Sequence, residues 1–133
     1  MDAALELFIA GSGDVVVVRQ RVRTAAQEVG MSVIDQTKLV TAASELARNT
    51  LVYGGGGQVR IDVVSRGARR GLRLVFSDEG PGIADPAQAL TDGWSSGGGL
   101  GLGLSGSRRL VDEFDLASEP GRGTRVMVLK WAR

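Results

Sequence analysis

Leu72-Arg73-Leu74-Val75-Phe76-Ser77-Asp78-Glu79-Gly80-Pro81-Gly82 is the stretch on which the fold turns. Leu72, Leu74 and Phe76 alternate with other residues, the period of a strand with one apolar face. The strand stops on a carboxylate, Asp78, at a place where side chains point into a cleft. Glycine at 80 and 82 lets backbone come close to a flat ligand. A carboxylate there can accept hydrogen bonds from an amino group such as that of adenine. By itself the segment reads equally as an ordinary turn, since Asp, Gly and Pro are common turn residues.

Upstream, Val59, Ile61 and Val63 form the other arm of a hairpin, and Arg66, Arg69 and Arg70 beside Gly67 and Gly71 read as its solvated tip. A helix from near Asp35 to about Tyr53 precedes it, with Leu39, Ala42, Ala43, Leu46 and Thr50 as inner stripe and Gly54 to Gly57 as terminator. Leu5, Leu7 and Ile9 mark a first strand. Ser12 or Asp14 can cap a helix to about Gly30, with Val15, Val18, Val22, Ala25, Ala26 and Val29 on one face. Its valine run suits a strand as well by propensity; the spacing that follows decides for helix. Downstream, residues 86–90 can make a short helical turn. A glycine-rich stretch leads into a helix through Arg108, Leu110 and Val111. Strands around Phe114 to Ser118 and Thr124 to Trp131 flank the turn Pro120-Gly121-Arg122-Gly123. The order β α α β β, glycine-rich insertion, α β β predicts a single domain over residues 1–133. Its architecture is an α/β two-layer sandwich with helices over one face of a mixed sheet.

Composition narrows the chemistry. The 133 residues hold no cysteine, which excludes disulfides and thiol catalysis, and no histidine, which removes imidazole bases and the usual zinc sites. Sixteen basic against fifteen acidic residues is too balanced to argue for nucleic acid. The longest unbroken aliphatic run, Val15 to Val18, is far short of a membrane span, and no signal peptide opens the chain, so a cytoplasmic protein is expected. Twenty glycines are the anomaly, and twelve of them fall at Gly54–Gly57, at Gly80 and Gly82, and between Gly97 and Gly106. Apolar segments surround them, so they read as loops with a task rather than as a disordered linker.

Two further motifs carry chemistry. In Glu45-Leu46-Ala47-Arg48-Asn49, residues 45 and 49 share one helix face a turn apart. A carboxylate and an amide oxygen so paired suit magnesium together with a proton acceptor, although an isolated pair of this kind reads more simply as a polar helix face. Gly97-Gly98-Gly99-Leu100-Gly101-Leu102-Gly103-Leu104 opens a helix, where bare amides make an anion cradle suited to phosphates. Residues 101–106 match G-x-G-x-x-G, but no strand immediately precedes them and no acidic residue stands about 20 positions on, which rules out a dinucleotide fold. No P-loop sequence occurs.

Taken in this order, the three motifs resemble the N, G1 and G2 boxes of the GHKL (Bergerat-fold) ATPases and kinases. The resemblance implies ATP and Mg2+ as cofactors. It makes Glu45 the catalytic base, Asn49 the magnesium ligand and Asp78 the reader of adenine. Gly80, Gly82 and Ile83 complete the G1 segment, and Gly97, Gly98, Gly99, Leu100, Gly101, Leu102 and Gly103 form a lid over the phosphates. Gly123-Thr124 matches the family's late Gly-Thr, which puts the Thr124 hydroxyl near the adenine. The N-box and G1 segments, with Asp112-Glu113-Phe114 and the ending Lys130-Trp131, are similar over nearly the whole chain to the serine/threonine switch kinases of bacterial stressosomes. That likeness implies phosphorylation of STAS-domain proteins, both stressosome scaffold and antagonist, and a PP2C-type phosphatase as partner on release, with no nucleic acid and no membrane. One departure is that Gly97-Gly98-Gly99 lacks the basic lid residue usual in the related anti-sigma kinases, which leaves Arg48, Arg108 and Arg109 as alternatives for the γ-phosphate. Two other readings stay open: an anti-sigma factor of this fold that sequesters a sigma subunit, and an ATP-gated binding module without transfer. A detached histidine-kinase domain fits less well, because nothing here presents a phosphoacceptor helix.

Overall fold

The computed structural model describes residues 4–82 and 104–133. The elements are β1 (Leu5–Ile9), α1 (Ser12–Glu28), α2 (Val33–Val52), β2 (Gly57–Arg66), β3 (Arg69–Asp78), α3 (Leu104–Arg109), β4 (Glu113–Ser118) and β5 (Thr124–Trp131). The expected 86–90 turn and the Gly97–Gly103 lid lie outside the described residues.

Among the described residues the strands form one sheet in the order β1-β2-β3-β5-β4, and every pairing is antiparallel. The expected mixed sheet is thereby corrected. Two hairpins, β2–β3 and β4–β5, fix four of the directions, and β3 meets β5 antiparallel in the middle. The two-layer sandwich stands. One face of the sheet carries Val59, Ile61, Leu72, Leu74, Phe76, Val126 and Val128, all buried beneath α1 and α2. The opposite face carries Arg60, Asp62, Arg73, Asp115 and Arg125 around an open groove. Burying about ten such aliphatic and aromatic side chains at roughly 1.5–3 kcal/mol each is the main drive for laying the helices here.

Local chemistry sets the helix ends. Ahead of α1, Gly11 is extended, and the Asp14 carboxylate reaches back to accept from the N–H groups of Ala10 (2.9 Å) and Gly11 (3.1 Å); of the two expected caps it is Asp14 that serves. The second helix begins at Val33, two residues before the expected Asp35, because the Ser32 hydroxyl accepts from the Asp35 N–H at 3.1 Å. Helix α3 stops at Arg109, short of the expected Leu110 and Val111. The Leu110 carbonyl is instead taken by the Lys130 ammonium at 3.0 Å. Lys130 is 5% exposed and also pairs with Asp35 at 3.6 Å, so it ties the end of α3 to the start of α2. The hairpin tip is solvated as expected, with residues 65–70 all exposed; within it the Arg69 and Arg66 guanidinium carbons lie 4.4 and 5.1 Å from the Trp131 ring centroid, and Arg66 pairs with Glu113.

Candidate functional site

Continued to the end of the strands, the helix-facing parity yields a row across all five: Ile9, Gly57, Asp78, Thr124 and Ser118 are successive register partners. Its first two positions, on β1 and β2, are apolar or carry no side chain, and its last three, on β3, β5 and β4, are polar. Asp78 accepts from the Gly80 N–H at 2.9 Å and from the Thr124 N–H. Burial nevertheless pushes its carboxyl above the ordinary aspartate value, against the pull of those two donors. Beside it, the Ser118 hydroxyl donates to the Gly123 carbonyl at 2.9 Å and lies 2.9 Å from the Thr124 hydroxyl. The corner therefore offers hydrogen-bond acceptors in a half-buried setting, the complement of an amino group on a flat base.

The end of α2 is joined to this corner through glycine. The Asn49 carbonyl accepts from the N–H groups of Tyr53 (2.9 Å) and Gly54 (3.1 Å), which turns the chain out of the helix. Gly54 then lies so close to β3 that a Cβ there would sit 2.4 Å from Asp78 Cγ, and one on Gly80 would sit 2.7 Å from Gly54 Cα. The backbones can touch only because both residues are glycine. Gly80 and Gly82, expected beside a ligand, also let the protein's own chain approach. Gly82 abuts the Glu119 carbonyl, and the Pro81 carbonyl accepts from Gly121 N–H at 2.7 Å, so residues 79–82 are held between the α2 end and the β4–β5 turn.

The structure thus brings together Asn49, Asp78, Gly80, Gly82 and Thr124. Glu45, half-buried, lies one turn before Asn49 on α2. Ile83 and the residues Gly97, Gly98, Gly99, Leu100, Gly101, Leu102 and Gly103 lie outside the described residues. Among the described residues, a cleft of about 580 Å³ lined by Phe8, Gly54–Gly57 and Glu79 opens at Asp78, as does one of about 450 Å³ lined by Ser118, Glu119, Arg122 and Thr124. Residues the sequence reading passed over are Gly54, seen only as a helix terminator, and Ser118. A serine at a strand end carries no pattern of its own; the adjoining Gly123-Thr124 was the available signal. Among the described residues no three acidic, histidine or cysteine side chains gather to hold a metal, and no helix is long and apolar enough to cross a membrane.

Comparison with known proteins gives the family. The profile of histidine kinase-, DNA gyrase B- and HSP90-like ATPases matches residues 34–132, from the start of α2 to the end of β5. The chain belongs to that family. This GHKL chain is 46% identical over 120 residues to the serine/threonine-protein kinase RsbT of Bacillus subtilis, with 90% of each chain covered. It is 30% identical over 101 residues to the anti-sigma F factor of Clostridium novyi, covering 71% of this chain and 69% of that one. Among solved structures it superposes with TM-score 0.69 and 21% identity on the RsbU and RsbW domains of Rv1364c from Mycobacterium tuberculosis, over 99% of this chain and 33% of that chain. The catalytic domain of the histidine kinase ThkA gives TM-score 0.54 at 14% identity, over 97% and 95% of the two chains. These two likenesses speak for the fold alone. The 46% relative speaks for the class, so this GHKL chain falls among the ATP-using protein serine/threonine kinases.

Proposed function

We propose that the chain transfers the γ-phosphoryl group of ATP to a serine or threonine of a STAS-domain protein within a partner-switching circuit of the stressosome type. The observation that carries the reading is the Asp78 corner, an acceptor-only carboxylate joined through Gly54 to the Asn49 end of α2. Its fit to ATP rests on donor chemistry: Asp78 and the hydroxyl beside it accept, as an adenine amino group requires. Magnesium fits as well. That ion keeps waters and phosphate oxygens and needs only one or two protein ligands, and the Asn49 amide with a carboxylate one turn away can supply them.

When bound, magnesium-ATP supplies the phosphoryl group and the charge that screens it. Asp78 accepts from the base and sets its orientation. Asn49 offers one oxygen to the metal. Glu45 accepts the proton of the incoming hydroxyl. Use of ATP is consistent with work in the cytoplasm, and a PP2C-type phosphatase is the partner expected on release from the STAS assembly. The test is incubation with γ-labelled ATP, magnesium and a candidate STAS protein, followed by phosphosite mapping. Label on a serine or threonine of that partner is expected; ATP binding with no transfer to any STAS protein would leave only a binding module. The likeness to an anti-sigma F factor favours one second reading, sequestration of a sigma subunit. Capture from cell extract separates the two, since recovery of sigma and not of a STAS assembly would overturn the first.

A further inference from the structure

We propose that the β2–β3 hairpin tip is a docking surface for a protein partner that presents a short acidic segment, with Arg66 and Arg69 as its receptors. The two arginines are register partners, facing each other across the turn. Like charges placed directly opposite on a hairpin destabilise it, so the pair is kept against a cost. Part of that cost is offset from beneath. Trp131 lies on the sheet face away from the helices, as the register partner of Gly71, and its ring centroid is 4.4 and 5.1 Å from the Arg69 and Arg66 guanidinium carbons. Gly71 makes room for the ring, since a Cβ there would sit 2.9 Å from Trp131 Cε3.

The ring holds the arginines without using up their donors. An aromatic face attracts the flat side of a guanidinium, while the N–H groups that fork onto a carboxylate lie in its plane. Trp131 is 3% exposed and residues 65–70 are exposed, so the charged heads stand in water above a fixed base. Freedom already surrendered to the ring is not lost again on binding. Among the described residues one carboxylate, Glu113, serves the pair, reaching Arg66 at 3.6 Å. A second would complete it, and the Arg69 fork suits a carboxylate. A long polyanion fits less well. Glu113 beside Arg66, and Asp112 paired with Arg133, bring negative charge to the rim, which repels a continuous run of phosphates. The surface also stands apart from the Asp78 corner. Arg69 opens β3 and Asp78 closes it, a strand of 10 residues spanning roughly 30 Å. Acidic segment and nucleotide can therefore be held together.

The experiment uses the full chain carrying Trp94→Phe, which leaves Trp131 as its one tryptophan. A glutamate-rich peptide, its glutamine counterpart and single-stranded DNA are titrated in turn while tryptophan emission is read. Calorimetric titration of the chain with both tryptophans repeats the affinities, and every variant is melted. The glutamate peptide should bind, change Trp131 emission and weaken as salt rises; the glutamine peptide should not bind. Arg69→Gln should weaken the glutamate peptide about 10-fold, the low end for a charge-assisted bond. Arg69→Lys should fall between parent and Arg69→Gln, because the charge stays and the fork is lost. Saturating ATP with magnesium should leave the peptide's affinity unaltered. Were the arginines only a cover for Trp131, Arg69→Gln would lower the melting temperature and shift the emission with no effect on the peptide, and that result overturns the proposal. So does a glutamate peptide that binds no better than the glutamine one, a peptide displaced by ATP, or a surface that prefers the DNA.

Discussion

Asp78 carries a cost that its proposed task explains. A carboxylate half withdrawn from water favours its protonated form, so the folded chain holds that proton to a higher pH than the unfolded chain does. Folding stability from this group is greatest below the ordinary aspartate value, declines as pH rises towards the raised one, and stays low above it. Asp78→Asn should therefore flatten this decline and melt higher than the parent at pH 7 without nucleotide, a comparison that melts across pH 3 to 7 would make. The same change should lose most of the preference for ATP over GTP, which a charge-assisted bond sets at roughly 10- to 150-fold. Equal displacement by GTP from the unmodified protein would sink the assignment. Glu45 is tested differently. As the proposed proton acceptor it is not required to hold ATP, so Glu45→Ala should bind within a few-fold of the parent yet transfer phosphate at least ~100-fold more slowly in single turnover. Transfer at the parent rate would make Glu45 only a polar helix residue. These residues were legible in sequence because strand, helix and glycine stretch occur in one order. Ser118 was not, since its partners become neighbours only when β4 pairs with β5.

At the scale of elements, two joints hold the layers in register. The first is the glycine contact between the α2 end and β3. Gly54→Ala places a methyl carbon 2.4 Å from Asp78 Cγ, so either the loop or the carboxylate must move. The expected outcome is a loss of about 1–3 kcal/mol in stability and a marked weakening of ATP binding. Calorimetric titration of the folded variant checks this, and parent-like affinity would show that the Asp78 position tolerates displacement. The second joint is Lys130, whose ammonium serves both Asp35 and the Leu110 carbonyl. Lys130→Met keeps the aliphatic stem but leaves a sheltered carboxylate without its cation, and should cost about 3 kcal/mol or more in denaturant unfolding. The sequence showed Lys130-Trp131 as a likeness and gave no reason for it; the reason lies in a crossing of three elements far apart in the chain. Helix faces were readable because burial repeats with the helical period, as Leu39, Ala43 and Leu46 show. Strand direction was not, because alternation in Leu72, Leu74 and Phe76 is the same whichever way the neighbouring strand runs.

For the whole molecule, the site is a property of the sheet rather than of any one loop. Nucleotide that binds only the folded chain must raise its stability, by about 2.7 kcal/mol at a ligand concentration one hundred times Kd. A melt with saturating ATP and magnesium should accordingly shift well above the nucleotide-free curve, and the shift should shrink in Asp78→Asn. No shift at saturation would contradict a folded-state site. The row from Ile9 through Gly57, Asp78 and Thr124 to Ser118 adds something of a different kind. A strand that slips by one residue turns its side chains to the opposite face, which here would exchange Asp78 for Ser77 or Thr124 for Arg125. A chain that has collapsed with one strand out of step can keep its secondary structure and much of its core, yet has no purchase on adenine. With the proposed site, retention on an ATP resin would sort correctly threaded molecules from near misses, and nucleotide bound only by the correct register would favour that register during folding.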